Sequence, residues 1–128
     1  MIYKVLVNSY FYASHYVRLP NGEWEEPHSH NYKVEVCISS EKLDENGMVI
    51  DFTLVDSYLE KIKEKLNSTI LNENPLFDEV IPTAENIAKV IFTHISESIK
   101  KEKLANSPKV EYVKVSETDR YSSVVQSD

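Results

Sequence analysis

Cysteine is almost missing from this chain: Cys37 is the only one, so no disulfide can form within it. Long apolar runs are missing too, and no stretch approaches the roughly 20 residues that cross a bilayer as a helix, so no membrane partner is expected. Basic side chains are outnumbered, with 14 Lys and Arg against 21 Asp and Glu for a formal charge of −7. Nucleic-acid affinity rests largely on Lys and Arg neutralising phosphates, which argues against a nucleic-acid partner. The opening Met1-Ile2-Tyr3-Lys4-Val5 lacks the basic, apolar and small-residue zones of a secretory signal, so a cytoplasmic protein is expected. No repeat or low-complexity segment stands out. What remains is the composition of one soluble domain over residues 1–128, with 41% apolar and 27% charged residues.

Residues 2–17 and 28–40 read as two long strands, separated by Leu19-Pro20-Asn21-Gly22-Glu23-Trp24-Glu25-Glu26-Pro27, whose Pro and Gly residues stop regular pairing. After the turn signal Glu45-Asn46-Gly47, apolar residues recur at helical spacing: Phe52, Val55, Tyr58, Leu59, Ile62 and Leu66, with Asp51 placed to cap the helix. Residues 67–81 are polar and irregular. Pro82-Thr83-Ala84-Glu85-Asn86 opens a second helix capped by Thr83, with a core stripe of Ile87, Val90, Ile91, Ile95 and Ile99. Residues 100–108 form a charged connection, and 110–116 with 121–126 form a hairpin around Glu117-Thr118-Asp119-Arg120. The order ββααββ predicts an α+β domain: a four-stranded antiparallel sheet with both helices on one face. Such a sheet has open edges, and pairing them between copies predicts a homo-oligomer.

The second strand carries the chemistry. His28 and His30 share the parity of Tyr32, Val34, Val36 and Ile38, so both imidazoles face the apolar side. His15 ends the alternation Val5, Val7, Ser9, Phe11, Ala13 on the corresponding parity of the first strand. Three histidines from two paired strands can hold zinc and leave its fourth position open, the arrangement of a catalytic site. Cys37 has the opposite parity and lies away from them. His94 falls on or beside the second helix's stripe, where packing is the simpler role.

Five segments, in order, resemble the 6-pyruvoyltetrahydropterin synthase and 6-carboxytetrahydropterin synthase family: Phe11-Tyr12-Ala13-Ser14-His15, His28-Ser29-His30-Asn31-Tyr32, Gly47-Met48-Val49-Ile50-Asp51-Phe52, Pro82-Thr83-Ala84-Glu85-Asn86 and Glu117-Thr118-Asp119. The resemblance implies the tunnelling fold (T-fold), in which trimers close a twelve-stranded barrel and stack in pairs as a homohexamer. It implies Zn2+ held by His15, His28 and His30, and a pterin ring anchored by Glu117, whose carboxylate can accept paired hydrogen bonds. Thr83 and Glu85 match a motif beside the substrate pocket, which in the family lies between subunits and takes 7,8-dihydroneopterin triphosphate.

Two departures bear on the reaction. The synthases carry a cysteine shortly before the paired histidines, where this chain has Glu23-Trp24-Glu25-Glu26-Pro27, and an Asp-His pair in a Leu-Asp-His-x-x-Leu-Asn context, where it has Leu66-Asn67-Ser68-Thr69-Ile70-Leu71-Asn72. The glycine between the histidines is Ser29, an outward position that need not touch a metal. Glu25, three residues before His28, resembles the glutamate of a subgroup that cleaves the substrate side chain to 6-hydroxymethyl-dihydropterin, and it is the expected base. The leading expectation is therefore a zinc-dependent pterin lyase acting on 7,8-dihydroneopterin triphosphate or a close relative. Synthase chemistry giving the pyruvoyl or carboxy product with substitute groups, and a pterin- or purine-binding hexamer without turnover, are the alternatives.

Overall fold

A computed structural model describes residues 1–128. Its elements are β1 (Tyr3–His15), β2 (His28–Ser40), α1 (Phe52–Leu66), α2 (Ala84–Glu102), β3 (Lys109–Ser116) and β4 (Ser122–Gln126). The four strands form one antiparallel sheet in the order β1-β2-β3-β4. Both helices lie on one face, and a single core joins Val7, Phe11 and Ala13 of β1, Tyr32, Val34, Val36 and Ile38 of β2, and Val110, Val113 and Val115 of β3 to the helix stripes. The alternation that the sequence carries is thus the division between a covered and an open face, on which Leu6, Tyr10, Tyr12 and Val124 stay exposed. A bulge between Cys37 and Ile38, opposite the Tyr112 to Val110 step, keeps β3 in phase with β2.

Both caps form as the sequence implies. The Asp51 carboxylate accepts from the Thr53 N–H at 2.8 Å, and the Thr83 hydroxyl accepts from the Asn86 N–H at 3.2 Å. α1 buries Val55, Tyr58, Leu59, Ile62 and Leu66. Phe52, expected in this stripe, is exposed: it is the first helical residue and lies beside the start of β1. Val90 of α2 is only half-buried but packs against the core. His94 on α2 donates from Nε2 to the Tyr58 carbonyl at 2.9 Å, so it ties the two helices together. Residues 67–81 are less irregular than expected, with single 3-10 turns at Leu71–Glu73 and Pro75–Phe77, and α2 runs on into the charged connection as far as Glu102.

The segment after α1 covers part of an edge. The Ser68 N–H donates to the Tyr12 carbonyl at 2.6 Å, the Ser14 N–H donates to the Thr69 carbonyl at 3.0 Å, and the Asn67 carboxamide oxygen accepts from the Tyr12 N–H at 2.8 Å. Asn72 grips Tyr16 at both ends, accepting from its N–H at 3.0 Å and donating to its carbonyl at 2.8 Å. The second half of β1 is therefore held on both sides, while its first half and all of β4 present open edges.

Candidate metal centre and active site

The β1–β2 register sets the site. His15 pairs with His28, Ala13 with His30 and Phe11 with Tyr32, so three imidazoles and a phenol ring gather at one end of the covered face. Their rings meet edge to face: His15 to His28 at 4.6 Å, His28 to His30 at 4.7 Å and His30 to Tyr32 at 5.3 Å between centroids. Exposure rises from 1% at His15 through 17% at His30 to 37% at His28, so the cluster opens to solvent on the His28 side.

Each ring nitrogen has a distinct job. His15 donates from Nδ1 to the Pro82 carbonyl at 2.7 Å, which fixes its tautomer and turns the Nε2 lone pair toward the cluster. That Nε2 faces His28 Nε2 at 3.0 Å. His28 Nδ1 lies 3.3 Å from the Glu26 carbonyl and 3.5 Å from a Glu25 carboxylate oxygen. His30 Nε2 is buried and has no hydrogen-bond partner at all. Burial holds the His30 pKa below the usual 6.5, opposed by the Glu117 carboxylate and reinforced by His28 and His15. An orphaned nitrogen among lone pairs aimed at a common point is costly in a packed protein and suits a metal ion. The three ligand atoms all lie within 4.8 Å of one another, and two nitrogens on one tetrahedral zinc-sized ion at 2.0–2.1 Å stand about 3.3 Å apart. The histidine trio therefore fits a metal, with backbone carbonyls and a carboxylate behind it as a supporting shell.

Two carboxylates flank the trio. Glu25 accepts from the Val17 N–H at 3.0 Å through the same oxygen that faces His28, which holds it behind the ring. This contact exists because partial pairing persists beyond His15, where β1 ends two residues short of the expected Val17 and the Pro and Gly residues stop the regular ladder. Pairing continues past His15, with the Glu25 N–H donating to the Val17 carbonyl at 3.0 Å and a bridge between Arg18 and Trp24. Glu117 stands on the opposite side: its oxygens lie 3.7 Å from His15 Nε2 and 3.6 Å from His30 Nε2. The β3–β4 turn positions it, as the Glu117 N–H donates to the Tyr121 carbonyl and the Thr118 hydroxyl accepts from the Arg120 and Tyr121 N–H groups.

Thr83 and Glu85 sit at the N-terminus of α2. Within the single chain Thr83 serves as cap and Glu85 is exposed in the first turn, and neither side chain bonds a histidine. The helix instead reaches the site through the Pro82 carbonyl. Ser29 points away, its hydroxyl 2.8 Å from that of Ser14 on the open face. Cys37 is buried far along β2, where burial raises its thiol pKa. Tyr32 escaped the sequence reading as a site residue although it shares the parity of His28 and His30. Its hydroxyl is buried without a partner, and burial, then Glu117 and Glu25, push its pKa upward. No helix of the protein is long and apolar enough to cross a membrane.

A family model described as 6-pyruvoyl tetrahydropterin synthase matches residues 4–128. A protein of Archaeoglobus fulgidus, provisionally named 6-carboxy-5,6,7,8-tetrahydropterin synthase, is 44% identical over 70 residues. That match covers 55% of this chain and 56% of the other, little more than half of the relative's length. Dihydroneopterin monophosphate aldolase of Pyrococcus furiosus is 33% identical over 98 residues, covering 77% of this chain and 75% of that one. Among solved structures, 6-pyruvoyl tetrahydropterin synthase of Plasmodium vivax superposes with a TM-score of 0.78 at 20% identity, covering 100% of this chain and 99% of that one. Variants of that Plasmodium protein replace a glutamate, described as a catalytic residue, by alanine and by cysteine. With the same four-stranded sheet and helix pair, the tunnelling fold, and a family match over nearly every residue, this chain belongs to the 6-pyruvoyl tetrahydropterin synthase family of lyases.

Proposed function

We propose that the protein is a zinc-dependent pterin lyase that cleaves the side chain of a 7,8-dihydroneopterin phosphate, the triphosphate or a close relative such as the monophosphate, to 6-hydroxymethyl-dihydropterin. The observation that carries this reading is a carboxylate, Glu25, against His28 where the synthases place a cysteine. The aldolase name of the Pyrococcus relative supports the cleavage, and the catalytic glutamate described for the Plasmodium synthase supports a carboxylate in a catalytic role.

Zinc, when bound, supplies Lewis-acid chemistry that acidifies a substrate hydroxyl. His15, His28 and His30 would hold it. Glu25 lies behind His28 with one oxygen held by the Val17 N–H, so its second oxygen is the one that would reach past the ring to take the proton from the C2′ hydroxyl. The C1′–C2′ bond then breaks, C2′ becomes the aldehyde of a two-carbon fragment, and the electron pair left at C1′ takes up a proton. Glu117 accepts from the amino and imino groups of the pterin ring, and Thr83 and Glu85 line the pocket beside it. The open first half of β1, the open β4 edge and the exposed Tyr3, Leu43, Met48 and Phe52 beside β1 support edge pairing into a homohexamer, a dimer of trimers.

A second reading keeps the metal and the anchor but loses turnover. The observation that favours it is the stretch Asn67-Ser68, where the family's Asp-His pair would stand: it is consumed in bonding the edge of β1, and no other ionisable side chain bonds there. Zinc-loaded protein incubated with 7,8-dihydroneopterin triphosphate and monophosphate, with products identified by mass spectrometry, separates the readings. The lyase gives 6-hydroxymethyl-dihydropterin, a synthase gives a pyruvoyl or carboxy product, and a carrier returns the substrate.

A further inference from the structure

Anchoring a pterin ring does not by itself explain where Glu117 lies. A carboxylate reserved for the pterin ring has no need to face the metal-binding nitrogens, yet one of its oxygens lies 3.7 Å from His15 Nε2 and the other 3.6 Å from His30 Nε2. Those are the nitrogens that the rest of the structure leaves for a metal: His15 has spent Nδ1 on the Pro82 carbonyl, and His30 Nε2 is buried without a partner. Glu25 cannot take the same place, since its inner oxygen is bonded to the Val17 N–H and lies behind His28, at Nδ1 rather than at Nε2. Of the two carboxylates at the site, only Glu117 shares the ligand side of the histidines.

We propose that Glu117 is a displaceable fourth ligand, closing the metal site of the substrate-free protein and leaving it when substrate binds. Three imidazole nitrogens and one carboxylate oxygen make a complete tetrahedral set for a zinc-like ion. The anchorage suits a group that must let go. Glu117 is 26% exposed and hangs from the β3–β4 turn, held by backbone and Thr118 hydroxyl bonds with no hydrogen bond to its own carboxylate. Arriving substrate hydroxyls take the position, and the released carboxylate becomes available to the pterin ring, so that anchoring and opening are coupled. A closed resting site keeps water off the metal until the ring that Glu117 prefers is present. This inference rests on the histidine trio binding a metal.

The test uses cobalt(II) in place of zinc and needs no turnover. Imidazole, a neutral ligand, is titrated against the visible absorption of the cobalt-loaded wild type, Glu117→Gln and Glu117→Asp. A ligand that must displace a group occupying its position about nine-tenths of the time has its apparent Kd raised about tenfold. Both variants should therefore take up imidazole at about tenfold lower concentration than the wild type. Glu117→Asp matters because it keeps the charge and withdraws the oxygens, and circular dichroism of the metal-free variants checks that each folds. If Glu117→Asp binds imidazole as the wild type does, or all three respond alike, Glu117 is not a ligand and the proposal is overturned while the metal site stands. If the wild type takes up no cobalt, the metal reading itself falls and this inference falls with it.

Discussion

Replacing His30 by leucine should make the metal-free protein more stable while removing its response to zinc. Buried polar atoms without partners cost about 1–3 kcal/mol, and His30 Nε2 is one of them. The ring keeps 17% exposure, which puts the penalty at the lower end. Leucine has a similar volume and no polar atom, so His30→Leu should gain about 1 kcal/mol without metal, or about 3–5 °C in Tm for a domain of this size. Zinc at a hundredfold its Kd should add about 2.7 kcal/mol to the wild type, roughly 10 °C, and nothing to the variant. Thermal melts followed by circular dichroism, in chelator and in zinc, read both effects in one experiment. A metal-free variant that melts several degrees below the wild type, or an equal zinc response in both proteins, would refute the claim that His30 sacrifices stability to hold a metal.

Removing the base while keeping its shape should abolish turnover: Glu25→Gln can still accept from the Val17 N–H but takes no proton, so kcat should fall by about 10²–10⁴ with zinc content unchanged. Activity within threefold of the wild type by product assay would end its role as base. Asn72→Ala strips two hydrogen bonds from Tyr16, the residue after His15, and should cost about 1–3 kcal/mol in chemical denaturation and weaken metal binding as well. In the metal-free protein the His30 pKa lies below 6.5, so the unfolded chain gains a proton that the folded one resists. The stability this provides is complete above about 6.5 and is lost as pH falls from there toward the lower folded value, which denaturation at pH 7.5 and 5.5 should show, with a smaller loss in His30→Leu.

Most of the scaffold was legible because its signals are local. Parity placed His15, His28 and His30 on the covered face, and spacing with an Asp or Thr cap placed both helices, since a strand repeats every two residues and a helix every 3.6. What escaped the sequence lies in long-range or backbone contacts. Nothing local announces that the Pro82 carbonyl, 67 residues away, would meet His15 Nδ1, or that Asn67 and Asn72 would bond the edge of β1. The departure at Asn67-Ser68 reads differently for that reason: Leu66 and Leu71 are buried and Asn72 grips Tyr16, so the framework half of that motif persists where the ionisable half is gone. Phe52 misled because periodicity reports a face and not how deeply the first residue of a helix is covered. Glu25 and Glu117 illustrate the same limit, as a sequence can bring two acids to a site without saying which side of a ring each will occupy.

Cleavage between C1′ and C2′ is tested most directly by the reaction run in deuterium oxide. Zinc-loaded protein with a 7,8-dihydroneopterin phosphate should yield 6-hydroxymethyl-dihydropterin carrying a single deuterium on the hydroxymethyl carbon, together with an equal amount of phosphorylated glycolaldehyde. Release of inorganic triphosphate with the three-carbon side chain still attached to the ring, or recovery of unlabelled substrate after prolonged incubation, would contradict it.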